Sequence, residues 1–439
     1  MKTEFSAAQL AEPQTAASHA ELRKCVHCGF CTATCPTYVL TGDERDGPRG
    51  RIELIKAMLE AGGPPPAETV LHIDRCLSCL GCRTTCPSGV DYAQLMDHGR
   101  AHIEAHYRRP FGERLLRWLL PQVLTRPAWL RAGLAFGRLG RPLEPVLEAL
   151  KLLPLAALLR LVPAAAPRAA AAQHSYPPVG QRRGRVALLQ GCVEPVLTPT
   201  IRDAAIRLLT RAGYDVVLAA GEGCCGALSE HLGRTEEAAG FARRNLRTWE
   251  RAGPFDAIVT TAAGCGTTLK AYAHRLPGDP AAASAAQIAR DVLELVAEAG
   301  LPPVTRPGRL SVAYHAPCSL QHGQGIRAEP AALLAQAGYE VRPIAEGHLC
   351  CGSAGVYNIL QPQLAGRLRA RKAIAMQKTG AVIVAAGNVG CIAQMRGAVP
   401  MPVVHPVELL DWATGGPMPP TLVGALGPAE PGGQPQIGA

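Results

Sequence analysis

Sixteen cysteines stand in this chain of 439 residues, and each belongs to a pattern that occurs twice. Cys25, Cys28, Cys31 and Cys35 recur as Cys76, Cys79, Cys82 and Cys86, each 51 positions on. Cys192, Cys224, Cys225 and Cys265 recur as Cys318, Cys350, Cys351 and Cys391, each 126 positions on. Thiolates at short, repeated spacings are ligands for soft metal centres. Three closely spaced sulfurs wrap three iron corners of a 4Fe-4S cubane, while a fourth, after a turn, points towards a neighbouring one.

The strings "CVHCGFCTATCP" and "CLSCLGCRTTCP" both fit C-x2-C-x2-C-x3-C-P, the bacterial ferredoxin run whose fourth cysteine serves the other cluster. Duplication closes that arrangement on itself. One cluster is assigned to Cys25, Cys28, Cys31 and Cys86, the other to Cys76, Cys79, Cys82 and Cys35, and Pro36 and Pro87 break the chain after each run. Zinc also takes C-x2-C pairs, but its sites usually hold two pairs a finger's length apart, so the spacing favours iron-sulfur. Between the runs, "GDERDGPRGRIELIKAMLE" reads as a turn leading into a helix with Ile52, Ile55 and Leu59 on one face. Arg49 and Arg51 there have two readings: guanidinium groups that raise a cluster's reduction potential, or solvated charges on an exposed turn.

The second pattern places a "CCG" triplet in each copy, and Gly226 or Gly352 permits close backbone approach. Adjacent cysteines chelate one ion tetrahedrally with difficulty, but they can serve two irons or form a vicinal disulfide. Apolar runs such as "RVALLQG", "DVVLAA" and "DAIVTTAAG" alternate with helical patterns such as "TIRDAAIRLLTRAG", which predicts α/β units with a parallel sheet. The second copy repeats the order with "SVAYHAP", "EVRPIA" and "AVIVAAGNVG", and Gly380 sits at a helix stop. The cysteines of both copies follow the apolar runs directly, at the carboxyl ends of strands, where sites in open α/β sheets form. His315 and His348 lie beside the second copy's cysteines as candidate substitute ligands or proton carriers; as lone histidines they also read as ordinary polar residues.

These elements imply an α+β multidomain chain: an N-terminal helical ferredoxin-type domain with two 4Fe-4S clusters at 1–106, a basic helical linker at 107–184, two tandem α/β Cys-Cys-Gly domains at 185–303 and 304–415, and a flexible tail at 416–439. The composition, 48% hydrophobic and 18% charged, excludes a disordered or fibrous chain. The net charge of +10 is matched by the stretch from Arg100 to Arg185 alone, with 15 Lys or Arg against four Glu. Its patterns read as amphipathic helices, with Arg on one face and Leu or Trp on the other, which suit an anionic membrane surface, a partner, or a scaffold packed on the chain's own domains. Nucleic acid is disfavoured, because the few aromatics are not interleaved with the basic residues. The N-terminus shows no apolar leader or twin arginine, which leads us to expect a cytoplasmic protein, with peripheral attachment to the inner face of the membrane as an extension. The most apolar stretch, around Leu152 to Ala166, is cut by Pro154, Arg160 and Pro163, so no membrane span is expected.

The ferredoxin-type pair followed by two Cys-Cys-Gly domains resembles the iron-sulfur subunits of the heterodisulfide reductase and anaerobic glycerol-3-phosphate dehydrogenase group. "CVHCGFCTATCPTY", "GDERDGPRGRIELIK", "CPSGV", "GCCGA", "GCG" and "HLCCGSAG" make it most similar to those of glycolate oxidase. The resemblance implies a dehydrogenase complex in which FAD-bearing partner subunits oxidise glycolate to glyoxylate and this chain relays electrons, through two 4Fe-4S clusters, towards a quinone or another acceptor. It carries the eight ferredoxin-type cysteines over as ligands. In heterodisulfide reductase the Cys-Cys-Gly domains hold noncubane clusters with one further cysteine, where this chain has Thr268 and Gln394. Zinc, a further cluster, a redox thiol pair and a structural vestige therefore all stay open for Cys192, Cys224, Cys225, Cys265, Cys318, Cys350, Cys351 and Cys391. Lactate and glycerol-3-phosphate complexes would share these motifs. Two other readings make the Cys-Cys-Gly domains a thiol or disulfide-reducing centre, or a docking scaffold. No Gly-x-Gly-x-x-Gly follows a strand, so the chain itself has no expected catalytic residues and the hydroxy-acid chemistry is expected on partners.

Overall fold

A computed structural model describes residues 1–165 and 171–426. The N-terminal unit is helical. Pro13, Pro36 and Pro48 each open a helix, where a missing amide donor costs nothing, giving helices Pro13–Lys24, Pro36–Thr41 and Pro48–Ala61. With helices Ala67–Asp74 and Tyr92–His106 they enclose a core of Leu22, Ile52, Ile55, Leu59, Ile73, Leu95 and Ile103. Pro87 differs from its repeat mate Pro36: it lies in a turn and starts no helix.

Four helices follow, Phe111–Leu124, Pro127–Gly140, Glu144–Ala149 and Leu153–Arg160. They are anchored to the N-terminal unit at Asp74, whose carboxylate meets Arg109 at 2.6 Å and Arg117 at 2.8 Å, all three side chains largely buried. Arginines and apolar residues do not divide cleanly between two faces. Leu120, Leu130 and Leu134 point inward, whereas Trp118, Trp129, Phe136 and Leu139 are exposed, the last by 80%. The basic segment is also not wholly helical: Ser175–Tyr176 forms a strand (β1) on the edge of the first sheet. Part of the Ala- and Pro-rich stretch expected as linker, residues 166–170, lies outside the described residues.

The first sheet has β1 with β2 (Gly184–Leu188), β3 (Tyr214–Val217), β4 (Ala257–Thr260) and β5 (Ala289–Asp291), in the order β1-β3-β2-β4-β5. Only β1 runs antiparallel. The second sheet, β6 (Ser311–His315), β7 (Glu340–Arg342), β8 (Ile383–Ala386) and β9 (Val403–Val404), is parallel throughout in the order β7-β6-β8-β9. Apart from β1, the same parallel strand order thus occurs twice. One hydrophobic core runs through both sheets, from Val186 and Ile201 to Val312 and Ile383. Asp411, 1% exposed, fixes the pairing of the two units by accepting from Arg207 at 2.6 Å and Arg211 at 2.5 Å. At the C-terminal end, residues 420–426 form a helix with Leu422 buried, so that part of the expected free tail packs on the fold; 427–439 lie outside the described residues.

Asp291 at the end of β5 caps the helix Val292–Ala299, accepting from the Leu293 amide at 2.9 Å. Burial raises its carboxyl to about 7, against the Leu293 hydrogen bond and Lys270, with Glu294 adding to the rise. Between about pH 4 and about pH 7 the folded chain therefore holds a proton that the unfolded chain has released, and stability falls as pH rises through that window. Asp291→Asn keeps a capping oxygen and should flatten this slope. Unfolding free energies of the two proteins, read from denaturant titrations, should differ by more than about 1 kcal/mol in how much they change between about pH 4 and about pH 7; parallel curves would assign the slope to other groups.

Candidate iron-sulfur centres and a cysteine-lined cavity

The two N-terminal cysteine loops have the same backbone. His27 and Gly29 adopt positive φ in the first, and Ser78 and Leu80, 51 positions on, do so in the second. Leu80 accepts a conformation that normally favours glycine, a strain that a fixed loop geometry must offset. Gly29 has a further reason to lack a side chain: a Cβ there would lie 2.9 Å from the Arg49 guanidinium.

Cys25, Cys28, Cys31, Cys82 and Cys86 line one small cavity, and Cys35, Cys76, Cys79 and Cys82 line a second, so Cys82 stands between the two. The fourth cysteine of each run thus faces the other run's triplet. Burial, followed by neighbouring cysteines, pushes the Cys79 and Cys82 thiols well above their ordinary range, and the same causes bring Cys31 to about 11. Sulfurs packed this way ionise together only when cations compensate them, which fits coordination to iron. Cys28 is exposed, with Val26 and Phe30 beside it exposed by 68% and 64%.

Arg51 is not a solvated turn residue: it is 1% exposed. It donates to the Cys35 Sγ at 3.8 Å, to Thr37 Oγ1 at 3.0 Å and to the His72 carbonyl at 2.7 Å. Asp46 balances its charge at 3.7 Å and is itself held by His72 and Arg75. Arg49 sits at the rim, pairing with Glu44 at 2.7 Å and donating to the His27 carbonyl at 3.0 Å.

None of the Cys-Cys-Gly cysteines is joined in a disulfide, and the adjacent pair divides between two partners. Cys224 lies 3.6 Å from Cys192 while Cys225 lies 3.2 Å from Cys265; in the second copy Cys350 lies 3.8 Å from Cys318. In both copies the glycine amide donates to the first cysteine of the pair at 3.4 Å. Hydrogen bonds from Cys224 and then Cys265 hold the Cys225 thiol well below its usual range. Thr268 and Gln394 are buried and occupied by hydrogen bonds, to the Gly264 carbonyl at 3.0 Å and with Asn358 at 3.0 Å.

All eight of these cysteines line one cavity of about 640 Å³, roofed by leucines of the four basic helices, among them Leu120, Leu134 and Leu158. The second N-terminal site adjoins it, because Cys79 and Cys350 share an apolar cluster with Leu77 and Tyr357. Thr84 and His322, 2.8 Å apart, pin that contact. His348 is exposed and offers His322 its backbone carbonyl at 3.2 Å, away from the cavity wall. His315 is buried, and burial pushes its imidazole down to about 3. Residues that the sequence did not single out include His231 and Tyr357, which lie 126 positions apart at one repeat position, each with a buried polar atom lacking a hydrogen-bond partner. Aligning the repeats beyond the cysteines would have found them.

The 4Fe-4S dicluster domain family matches residues 24–90, and the cysteine-rich domain family matches 186–270 and 312–396. The glycolate oxidase iron-sulfur subunit of Escherichia coli (strain K12) is 40% identical over 89% of this chain and 94% of its own length. The chain belongs to the glycolate oxidase iron-sulfur subunit family. The probable glycolate oxidase iron-sulfur subunit of Bacillus subtilis (strain 168) is 32% identical over 86% of this chain and 88% of its own. Lactate utilization protein A of an Exiguobacterium strain is 28% identical over 52% of this chain and 96% of its own length. As a member of this family the chain is an iron-sulfur electron-transfer subunit, with an N-terminal 4Fe-4S dicluster domain and two tandem cysteine-rich domains on parallel sheets. No helix among the described residues is long and apolar enough to cross a membrane.

Proposed function

We propose that this chain carries electrons within a glycolate dehydrogenase complex, from flavin-bearing partner subunits to a quinone at the membrane surface. The observation that supports this most is a row of sulfur-lined sites. Cys82 lines both N-terminal cavities, and Cys79 reaches the Cys-Cys-Gly end through shared apolar packing with Cys350.

In this reading Cys25, Cys28, Cys31 and Cys86 hold one cubane and Cys35, Cys76, Cys79 and Cys82 hold the other. When bound, the two 4Fe-4S clusters supply one-electron carriers. The residues around them keep water out and set the local field. Leu77, Leu80 and Tyr92 enclose the second site, and Arg51 donates towards its Cys35 sulfur. Exposed Val26 and Phe30 around Cys28 offer an apolar docking surface at the arrival end for a flavin subunit. At the other end the apolar roof of the cavity suits the hydrocarbon tail of a quinone, with the cysteine loops facing its head. The outer face of the same helices, with Trp118, Trp129 and Phe136 exposed among arginines, suits an anionic lipid surface.

The test uses the complex purified with its flavin subunits. Glycolate should bleach the iron-sulfur absorbance where lactate and glycerol 3-phosphate do not, and anionic vesicles carrying a quinone should restore it, less effectively at high salt. Bleaching by lactate alone would move the substrate assignment. Bleaching without restoration by vesicle-borne quinone would remove the quinone acceptor.

A further inference from the structure

The two Cys-Cys-Gly copies share the order of their parallel strands, cysteine spacing and the glycine-to-sulfur hydrogen bond, yet differ at a buried position beside the cysteines. β6 ends on His315, and the residue 126 positions earlier is Leu189. His315 is 2% exposed, and neither of its ring nitrogens has a hydrogen-bond partner. Leaving a buried polar group unsatisfied costs about 1–3 kcal/mol, so an imidazole in this state needs a partner of another kind. One of its nitrogens lies with the sulfurs of Cys351 and Cys391, the three atoms within 4.8 Å of one another. In the first copy the equivalent sulfurs, Cys225 and Cys265, stand 3.2 Å apart and share an apolar cluster with Leu189, which has no nitrogen to offer.

We propose that the second Cys-Cys-Gly domain, and not the first, binds a metal ion of the zinc class through His315, Cys351 and Cys391. One imidazole and two thiolates form a donor set that borderline-soft divalent ions prefer. The Asn388 side-chain amide lies 3.5 Å from the Cys391 sulfur and donates to it, as hydrogen bonds to metal-bound thiolates do. Both sulfurs also line the 640 Å³ cavity, so the ion is reachable from the space where we place the electron acceptor. The duplication thus carries two different chemistries: a thiol set in the first copy, and a mixed nitrogen and sulfur ligand set in the second. This inference does not depend on the acceptor's identity or on the N-terminal ligand assignment.

The test takes the full chain, purified anaerobically, incubated with Zn²⁺ under reducing conditions and desalted. About one zinc per chain should remain, and X-ray absorption at the zinc edge should show an imidazole nitrogen beside sulfur. His315→Leu, which installs the first copy's own residue, should lower zinc affinity at least about tenfold, in the range seen when a ligand or its supporting partner is lost. Iron measured in the same samples, about eight per chain, reports separately on the N-terminal clusters and on folding of the variant. A shell of sulfur alone, no retained zinc, or equal zinc in wild type and His315→Leu would each overturn the proposal. The absorption measurement needs no variant, so the outcome stands even where His315→Leu fails to fold.

Discussion

Cys86→Ser should empty the site that Cys86 faces, not the one formed by its own run. Cys86 follows Cys82 by four positions, but it lines the cavity of Cys25, Cys28 and Cys31, while Cys35 lines that of Cys76, Cys79 and Cys82. A serine oxygen is a poor ligand for a soft iron-sulfur centre, and the site it leaves is the one next to exposed Cys28. Iron should drop from about eight to about four per chain. Glycolate-dependent reduction should fall by at least about a hundredfold, because the lost site lies at the proposed arrival end, and each lost tenfold is about 1.4 kcal/mol of barrier. Cys35→Ser should also halve the iron, but it should remove the cluster adjoining Cys350. The two variants are told apart by which paramagnetic signal survives reduction. If Cys86→Ser instead removed the signal of the Cys76, Cys79 and Cys82 site, the crossed ligation would be wrong.

Arg51→Met should act on stability and on redox poise together. The guanidinium is wholly enclosed, so removing it leaves Asp46 without its 3.7 Å counter-charge and Thr37 and the His72 carbonyl without a donor. Breaking one side of a buried charge network typically costs about 3–5 kcal/mol. His72 and Arg75 still hold the Asp46 carboxylate, which places the expected loss at the lower end. The Cys35 sulfur also loses a donor 3.8 Å away, and with it a positive charge that favours the reduced, more negative cluster. The midpoint potential of the cluster at Cys35 should therefore shift to lower values, while that of the cluster at Cys25 moves little. Arg49→Met is the control. Its half-exposed pair with Glu44 should cost about 1 kcal/mol or less. A redox titration followed by paramagnetic resonance reads both; an unshifted potential in Arg51→Met would leave the arginine a purely structural role.

Much of this arrangement is legible in the residues because it is local. Cysteine spacing within a run fixes a loop, and runs such as "DAIVTTAAG" declare a buried parallel strand through length and apolarity. The helix face of Ile52, Ile55 and Leu59 packs inward as its period implies. What stayed hidden depends on distant partners. The division of Cys224 and Cys225 between Cys192 and Cys265 is set by where β2, β3 and β4 end in space. The strand Ser175–Tyr176 sits after a low-complexity stretch and gains its conformation only from pairing with Val216 and Val217. The basic helices read as amphipathic in sequence, but their leucines serve two surfaces, a cavity roof within and exposed positions without. In sequence Arg51 is interchangeable with Arg49; in the fold Asp46, Thr37 and Cys35 close over Arg51 alone.

Whether eight N-terminal sulfurs hold two adjoining cubanes is read by iron and acid-labile sulfide on anaerobically purified protein, with paramagnetic resonance after dithionite reduction. About eight of each per chain are expected, with a spectrum broadened by coupling between two reduced centres. Zinc in place of iron with no signal on reduction, or a single isolated centre with about four irons, would contradict the pair of cubanes.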